Sequence, residues 1–311
     1  MVERGEAAPA RLEAPRLGLI DRIRAAAMRH EPIRGYALLS PTMVWMLVAL
    51  AIPLAILVTL SFWTQNYLDF DRTFSFNNYI VYFEKPIYLK LLLKSVRISG
   101  AVTLATVLLA YPAAYFIAFK VKKNKLMWLI LITVPFWTSY LLRVFAWKVV
   151  LGFNGVINSG LITLGVIDAP LEFILYNPTA VVITLAHAWA AFAILPIYVS
   201  LEKIDRSLLE AAADLGEGPV GRFLRVTLPL SLPGVVAAML MIFVPTVGDY
   251  VTPALVGGPD GLMLANIIYS QFGRVNDWPM GAALAISMLL TVALIALVGM
   301  WISRKVREHF A

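Results

Sequence analysis

Residue types that support catalysis are scarce in this chain. It contains no Cys, which excludes thiol nucleophiles, Cys-ligated zinc, iron–sulfur clusters and disulfides. The His residues, His30, His187 and His309, form no H-E-x-x-H pair and no convincing Ser–His–Asp set. A lone His in an apolar segment, such as His187, more often hydrogen-bonds a neighbouring helix than does chemistry. The P-loop pattern G-x-x-x-x-G-K-[ST] is also absent. We therefore predict no catalytic residue, no metal site and no cofactor bound by this chain.

One polar segment, residues 200–229, has the pattern of a short helix that could dock into a partner protein. Ser207, followed three residues later by Glu210, is a capping box that predicts the start of a helix. The Leu and Ala residues that follow favour helix, and Gly216 can end it in the left-handed conformation. A helix of about two turns is not stable alone in water. We interpret it as a docking element, with a loop helix lying under a helical bundle as the alternative.

The elements that must position these residues are membrane helices. Hydrophobic residues make up 60% of the 311, charged residues 14%, and the mean hydropathy is +0.79. A soluble chain of this length has too little interior for so much apolar surface. A membrane helix needs about 20 apolar residues, and the alternation of a membrane barrel is absent. The sequence predicts an all-α membrane protein with six transmembrane helices, at Tyr36–Trp63, Val96–Phe119, Leu126–Trp147, Thr179–Val199, Phe223–Val247 and Met280–Ser303.

The distribution of positive charge predicts the orientation of these helices. The net charge is +7, and 18 of the 26 Lys and Arg residues fall in residues 1–35, 120–125 and 200–229 and at the C-terminal end. By the positive-inside rule these segments, and both termini, are cytoplasmic. A nucleic-acid-binding function is therefore disfavoured. Residues 1–35 are expected to form a cytoplasmic tail, with Leu19–Arg29 either a basic amphipathic helix or flexible, and residues 36–311 a transmembrane domain.

The polar segment carries a resemblance to a known family. Its spacing matches E-A-A-x-x-x-G-x9-[IV]-x-L-P at Glu210, Ala211, Ala212, Gly216, Val226, Leu228 and Pro229. This resembles the EAA loop of the permease subunits of bacterial ABC importers that depend on a binding protein. The resemblance implies a type I (MetI-like) importer permease fold and a short coupling helix that fits a cleft on an ATPase subunit. It implies coupling roles for Glu210, Ala211, Ala212, Asp214, Gly216 and Pro229, with ATP and Mg bound by the partner ATPase subunits.

Two further stretches resemble a subfamily. Residues 135–147 with 151–158, and residues 245–253 with 255–258, are similar to segments of spermidine/putrescine permeases. The resemblance implies a polyamine cargo. Relatives of these permeases also carry other amines, amino-acid-like molecules and opines, which stay as alternative cargoes.

Asp249 is the residue best suited to contact such a cargo. A polyamine is a polycation, which is attracted to carboxylates and to aromatic faces. Asp249 follows the fifth span, where Pro245 and Gly248 should break the helix, and Tyr250 comes next. Trp137 lies in the middle of the predicted third span. We predict that Asp249, Tyr250 and Trp137 line the pathway; the alternatives are an interfacial Asp249 and a lipid-facing or packing Trp137.

Arg143 would repel a polycation and is not expected to bind it. Counted from Lys125 along a continuous third span, it lies about 27 Å away, near the outer surface. There it is expected to snorkel or to pair with an acid or a helix C-terminus.

The sequence thus predicts a multi-pass permease subunit of the bacterial inner membrane. Its expected partners are a second permease subunit (a different chain, or less favoured a copy of itself), two ATPase subunits and a periplasmic substrate-binding protein. A function of another class, an ion-coupled secondary transporter, predicts internal repeats and acids in the middle of the membrane, and we find neither convincingly.

Overall fold

The structure is a computed structural model that describes Gly18 and residues 31–67, 69–174 and 176–310. The segment Leu19–Arg29, expected to be an amphipathic helix or flexible, lies outside the described residues, as does most of the predicted tail. The described residues up to Ile56 form one compact unit, and the described residues from Leu57 onward form a second.

The first helix, α1, runs from Glu31 to Ser61 and contains Pro41 and Pro53. It is followed in the second unit by a hairpin of β1 (Thr64–Asn66) and β2 (Asp69–Asp71), paired antiparallel. The remaining α-helices are α2 (Asn77–Glu84), α3 (Pro86–Tyr115), α4 (Lys125–Thr133), α5 (Tyr140–Leu151), α6 (Val156–Thr163), α7 (Pro178–Glu202), α8 (Arg206–Asp214), α9 (Pro219–Arg222), α10 (Leu228–Val247), α11 (Val251–Val256), α12 (Gly258–Gly261), α13 (Leu264–Ser270) and α14 (Trp278–Phe310). Short π-helices at Phe116–Lys120, Phe223–Thr227 and Gln271–Val275 and 3-10 turns at Val134–Trp137 and Glu172–Ile174 extend or join them.

The predicted number of spans is confirmed within the described residues. Six helical stretches there are long and apolar enough to cross a membrane: Leu38–Ser61, Pro86–Lys120, Tyr140–Thr163, Pro178–Glu202, Pro219–Val247 and Trp278–Lys305. Five of them overlap the predicted spans, although the second begins at Pro86, ten residues before the predicted Val96. The third differs, and it consists of α5 and α6 rather than of one continuous helix.

The predicted third span, Leu126–Trp147, is wrong because the chain breaks in its middle. The helix α4 ends at Thr133, and the backbone is extended at Thr138 and Ser139 before α5 begins. Pro135 explains the break, since it has no N–H to donate and its ring obstructs the preceding turn. An unbroken apolar run therefore conceals two helices that can point in different directions.

The centre of the second unit is a packed contact between α3, α7 and α10. Gly234 of α10 allows a close approach to α7: a Cβ added there would lie 2.4 Å from Ser200 Cβ and 2.5 Å from the Pro196 carbonyl oxygen. The Tyr111 and Ser231 hydroxyls, 2.8 Å apart, join α3 to α10. Small residues at such contacts let membrane helices pack closely without help from the hydrophobic effect.

Candidate functional site

The docking helix predicted from the polar segment is present as α8, but it starts two residues earlier than expected. Its N-cap is Asp205, whose Oδ1 accepts the backbone N–H of Ser207 at 3.0 Å. This hydrogen bond lowers the pKa of Asp205 below its usual value. The predicted capping box of Ser207 and Glu210 is wrong, because Asp is an equally strong N-cap residue and stands earlier in the chain.

The C-terminal end of α8 is as predicted. Gly216 has a φ of +86°, in the left-handed region that favours glycine. The Gly216 N–H donates to the Ala213 carbonyl at 2.9 Å, and the Glu217 N–H donates to the Ala212 carbonyl at 3.0 Å. These two bonds form a Schellman motif, which ends the helix sharply.

The exposed surface of α8 and its C-terminal turn carries small, acidic and apolar side chains. Ala212 is buried, whereas Glu210, Ala211 and Asp214 are exposed, and Leu215 beside the turn is 86% exposed. One side of the helix thus rests on the protein, while the other presents residues over which another surface can pack closely. Pro229, the other predicted coupling residue, lies apart from this surface, in the first turn of α10.

Two ion pairs lie on either side of α8 in the sequence. Lys125 Nζ contacts both carboxylate oxygens of Glu202, at 2.7 and 2.8 Å, and the Ala118 carbonyl oxygen at 2.9 Å. It therefore joins the end of α7 to the start of α4 and to the π-helix after α3. Beyond the turn, Glu217 pairs with Arg225. Sequence reasoning missed both pairs, because spacing gives no sign of contacts between separate elements.

Asp249 lies between two helices of the second unit. Its Oδ2 accepts the Tyr140 hydroxyl of α5 at 2.5 Å, and its Oδ1 accepts the Val251 N–H at 2.9 Å. A longer contact of 3.4 Å leads from the Thr252 N–H to the same oxygen. The carboxylate thereby accepts a backbone N–H at the start of α11 and joins this helix to α5, just after α10 ends at Val247.

Asp249 also lines a cavity of about 350 Å³, with Tyr140, Arg143, Ala188, Trp189, Phe192 and Pro245. The aromatic wall of this cavity is continuous. The Trp189 ring centroid lies 5.4 Å from that of Phe192 and 6.5 Å from that of Tyr140. A carboxylate beside aromatic faces is an arrangement that can hold an organic cation.

The other two predicted pathway residues are not brought together with Asp249. The ring of Tyr250 stacks on that of Tyr269, with centroids 4.6 Å apart, and lines a different cavity. Trp137 ends the 3-10 turn at the break before α5 and is 82% exposed. Its expected place in the middle of a continuous span is wrong, because the chain breaks at Pro135 between α4 and α5. Their roles in a pathway stay predictions.

Arg143 makes contacts other than those expected of it. Its Nη1 donates to the Ala188 carbonyl in the middle of α7 at 3.3 Å, and its guanidinium lies 5.1 Å from the Phe136 ring centroid. The predicted pairing with an acid or a helix C-terminus is wrong, whereas snorkelling, the other expectation, stays a prediction. Measured along α7, Ala188 lies about 21 Å from Glu202, the partner of Lys125. The estimate of about 27 Å for Arg143 assumed one continuous helix from Lys125, and it fails because α4 and α5 are separate helices.

His187 hydrogen-bonds a neighbouring helix, as expected. Its Nδ1 accepts the Trp147 Nε1–H of α5 at 3.1 Å. Within the described part of the chain, no three His, Asp or Glu side chains come together as metal ligands would.

Comparison with known families gives a match over most of the chain. Residues 101–308 match the family described as binding-protein-dependent transport system inner membrane component. The spermidine/putrescine transport system permease protein PotB of Escherichia coli is 36% identical over 255 residues, which are 82% of this chain and 92% of that protein. PotB of Haemophilus influenzae is also 36% identical, over 82% of this chain and 88% of its own length. The inner membrane ABC transporter permease protein YdcU of E. coli is 34% identical over 67% of this chain and 70% of its own length.

Solved structures show the same fold at lower identity. A chain of a bacterial ABC transporter involved in the import of the acidic polysaccharide alginate superposes with a TM-score of 0.69 at 18% identity, covering 91% of this chain and 99% of that one. A chain of the MetNI methionine ABC transporter, in an inward-facing conformation, gives a TM-score of 0.51 at 16% identity, over 70% and 95% of the two chains.

Proposed function

The chain belongs to the family of binding-protein-dependent inner membrane transport components, and from that premise we propose that it forms half of the translocation pathway for a small organic cation, of the polyamine class. It is a multi-pass subunit of an ABC importer. The assembly we propose contains a second permease subunit, preferably a different chain, two ATPase subunits that hydrolyse ATP and a periplasmic substrate-binding protein.

The observation that carries this proposal is the geometry of α8. The helix is capped at both ends by Asp205 and by the Schellman turn at Gly216, so it is held as a rigid two-turn unit. Its exposed side presents Glu210, Ala211 and Asp214, over which an ATPase surface can pack. Closure of the ATPase subunits around ATP would move two such helices together and change the side to which the cavity opens.

The ion pair of Lys125 and Glu202 gives this movement a path into the membrane. The bridge lies at the cytoplasmic end of α7 in the proposed orientation, four residues before α8 begins, and it links α7 to α3 and α4. A displacement of α8 would therefore also displace α7, α4 and the end of α3. The tight α7–α10 contact at Gly234 would carry it to a fourth.

The cargo assignment is supported by the cavity at Asp249 and by the relatives. The carboxylate and the rings of Tyr140 and Trp189 form a wall suited to an ammonium group. The PotB relatives are named as spermidine/putrescine transport proteins. We propose Asp249 as the cargo contact and the binding protein as the main source of affinity, which leaves a weak site in this chain.

The proposal is tested by reconstituting this chain with candidate ATPase, second permease and binding-protein subunits of a polyamine importer. Uptake of labelled putrescine and spermidine into proteoliposomes that contain ATP is measured, with unlabelled 4-aminobutyrate as a competitor. We expect ATP-dependent uptake of a polyamine that 4-aminobutyrate does not reduce. ATP-dependent uptake of labelled 4-aminobutyrate, with no ATP-dependent uptake of either polyamine, would assign an amino-acid-like cargo. Uptake driven by an ion gradient without ATP would overturn the importer mechanism.

A further inference from the structure

The cavity at Asp249 is also lined by a positively charged side chain, which weakens rather than strengthens the binding of cations. Arg143 lines the same cavity as Asp249 and stands three residues after Tyr140 on α5, on the same face of that helix. The inference drawn from it rests on the proposed function, because it concerns how that cavity handles a cationic cargo.

Apart from Asp249, which lines the same cavity, and the Phe136 ring, whose centroid lies 5.1 Å from the guanidinium, few groups among the described residues offset the charge of Arg143. Its one hydrogen bond, to the Ala188 carbonyl, is long at 3.3 Å, and its buried Nε has no hydrogen-bond partner. Among the described residues, the ion pairs are those of Lys125 with Glu202 and of Arg225 with Glu217, so Arg143 is paired with no carboxylate there. The guanidinium therefore acts on whatever enters the cavity.

The formal charges of Arg143 and Asp249 cancel. A cation in the cavity is attracted by the carboxylate and repelled by the guanidinium, and in a partly dehydrated site each effect is stronger than in water. A transport pathway needs such a balance, because a site that holds its cargo too tightly cannot release it. Without Arg143, Asp249 would bind a polycation too tightly for its ready release.

We propose that Arg143 is a specificity-determining residue of the pathway, which weakens the hold of the Asp249 cavity on cations and thereby permits their release. The repulsion grows with the number of ammonium groups on the cargo. Arg143 therefore affects a triamine more than a diamine, which a merely structural role would not do.

The test is equilibrium dialysis of labelled putrescine and spermidine against the purified complex of permease and ATPase subunits, without the binding protein. The variants are Arg143→Gln, the charge-retaining Arg143→Lys and Asp249→Asn. We expect Arg143→Gln to bind putrescine about tenfold more tightly than wild type, and spermidine more tightly still. Arg143→Lys should stay within about twofold of wild type. In proteoliposomes, Arg143→Gln should lower both the KM and the maximal rate of uptake. Arg143→Met, which keeps much of the aliphatic stem, repeats the test if the Gln variant does not assemble.

Unchanged or weaker amine binding by Arg143→Gln and Arg143→Met, or an equal change for the two amines, would overturn this inference. It would also fail if wild type bound 4-aminobutyrate and Arg143→Gln lost that binding, because Arg143 would then be a carboxylate ligand. The Asp249→Asn variant separates these outcomes from the proposed function. If it binds both amines as wild type does, the assignment of Asp249 to the pathway fails, whatever Arg143 does.

Discussion

The Tyr140 hydroxyl donates to Asp249 Oδ2 across a distance of 2.5 Å and so joins α5 to the segment that follows α10. The two residues are 109 positions apart in sequence. Because Asp249 also accepts the Val251 N–H at the start of α11, one carboxylate joins α5, α11 and the segment after α10. A cargo ammonium that approaches Asp249 would share this carboxylate with Tyr140.

The first prediction concerns this pair. Asp249→Asn removes the carboxylate that lines the cavity and should lower polyamine uptake by about tenfold or more, since a hydrogen bond to a charged group contributes about 1.5–3 kcal/mol. Tyr140→Phe removes the donor and should have a smaller effect in the same direction. Initial uptake rates in proteoliposomes are the measurement.

The control for this prediction is Tyr269→Phe, which removes a hydroxyl in a different cavity and should leave uptake near the wild-type rate. Uptake that persists in Asp249→Asn would remove Asp249 from the pathway.

The second prediction concerns the turn after α8. Gly216→Ala places a Cβ at a φ of +86°, which costs about 1–2 kcal/mol, although nothing lies within 4 Å of the added atom. The cost is therefore conformational, and we expect it to loosen the end of α8 and to lower uptake per ATP hydrolysed several-fold. Gly218→Ala is the matched control, because Gly218 has a φ of −70° and equally open space. Equal coupling ratios in the two variants would contradict the role given to the turn.

The third prediction concerns Lys125 and Glu202. Their side chains are 21% and 41% exposed, so the pair should contribute only about 0.5–1 kcal/mol to stability. Lys125→Gln and Glu202→Gln should each lower the thermal unfolding temperature of the purified complex, and the double variant should be less destabilised than the sum of the two. A double-mutant cycle measures this coupling. Additive effects would show that the ion pair is not energetically coupled.

The fourth prediction concerns the contact of α7 with α10. Gly234→Ala brings a Cβ within 2.5 Å of the Pro196 carbonyl oxygen, and backbone cannot yield as a flexible side chain can. We expect a destabilisation of about 1–3 kcal/mol, as for other overpacked cores. Gly100→Ala in α3 has nothing within 4 Å of its added Cβ and should be neutral or stabilising. Thermal unfolding of the two variants is compared; equal stability would mean that the helices can separate without cost.

The sequence predicts the parts of this fold that depend on composition and local chemistry. Apolar length identifies five of the six spans, and the left-handed end of α8 follows from Gly216. The break after α4 could not be placed from apolar length, because Pro135 is tolerated inside some membrane helices and ends others. The N-cap was misplaced because Asp205 and Ser207 are both good caps and only the backbone geometry decides between them.

The cavity was only partly predictable. Asp249 was chosen from its charge and its place after the fifth span, and it does line the cavity. Tyr140, Trp189 and Arg143 join it from α5 and α7, and no spacing pattern connects residues on different helices. Neighbours in sequence were a poor guide, since Tyr250 turns away from Asp249 to stack on Tyr269.

The measurement that tests the account most directly is co-purification of the ATPase subunits with this chain. Glu210→Lys reverses the charge of an exposed residue on α8, and Glu84→Lys makes the same change at an exposed residue at the end of α2. We predict that Glu210→Lys retains about tenfold less ATPase than wild type and loses solute-stimulated ATP hydrolysis, while Glu84→Lys keeps both. If the complex and its stimulated activity are unchanged in Glu210→Lys, the ATPase does not dock on α8 through Glu210. That result would contradict the claim that α8 couples this chain to the ATPase.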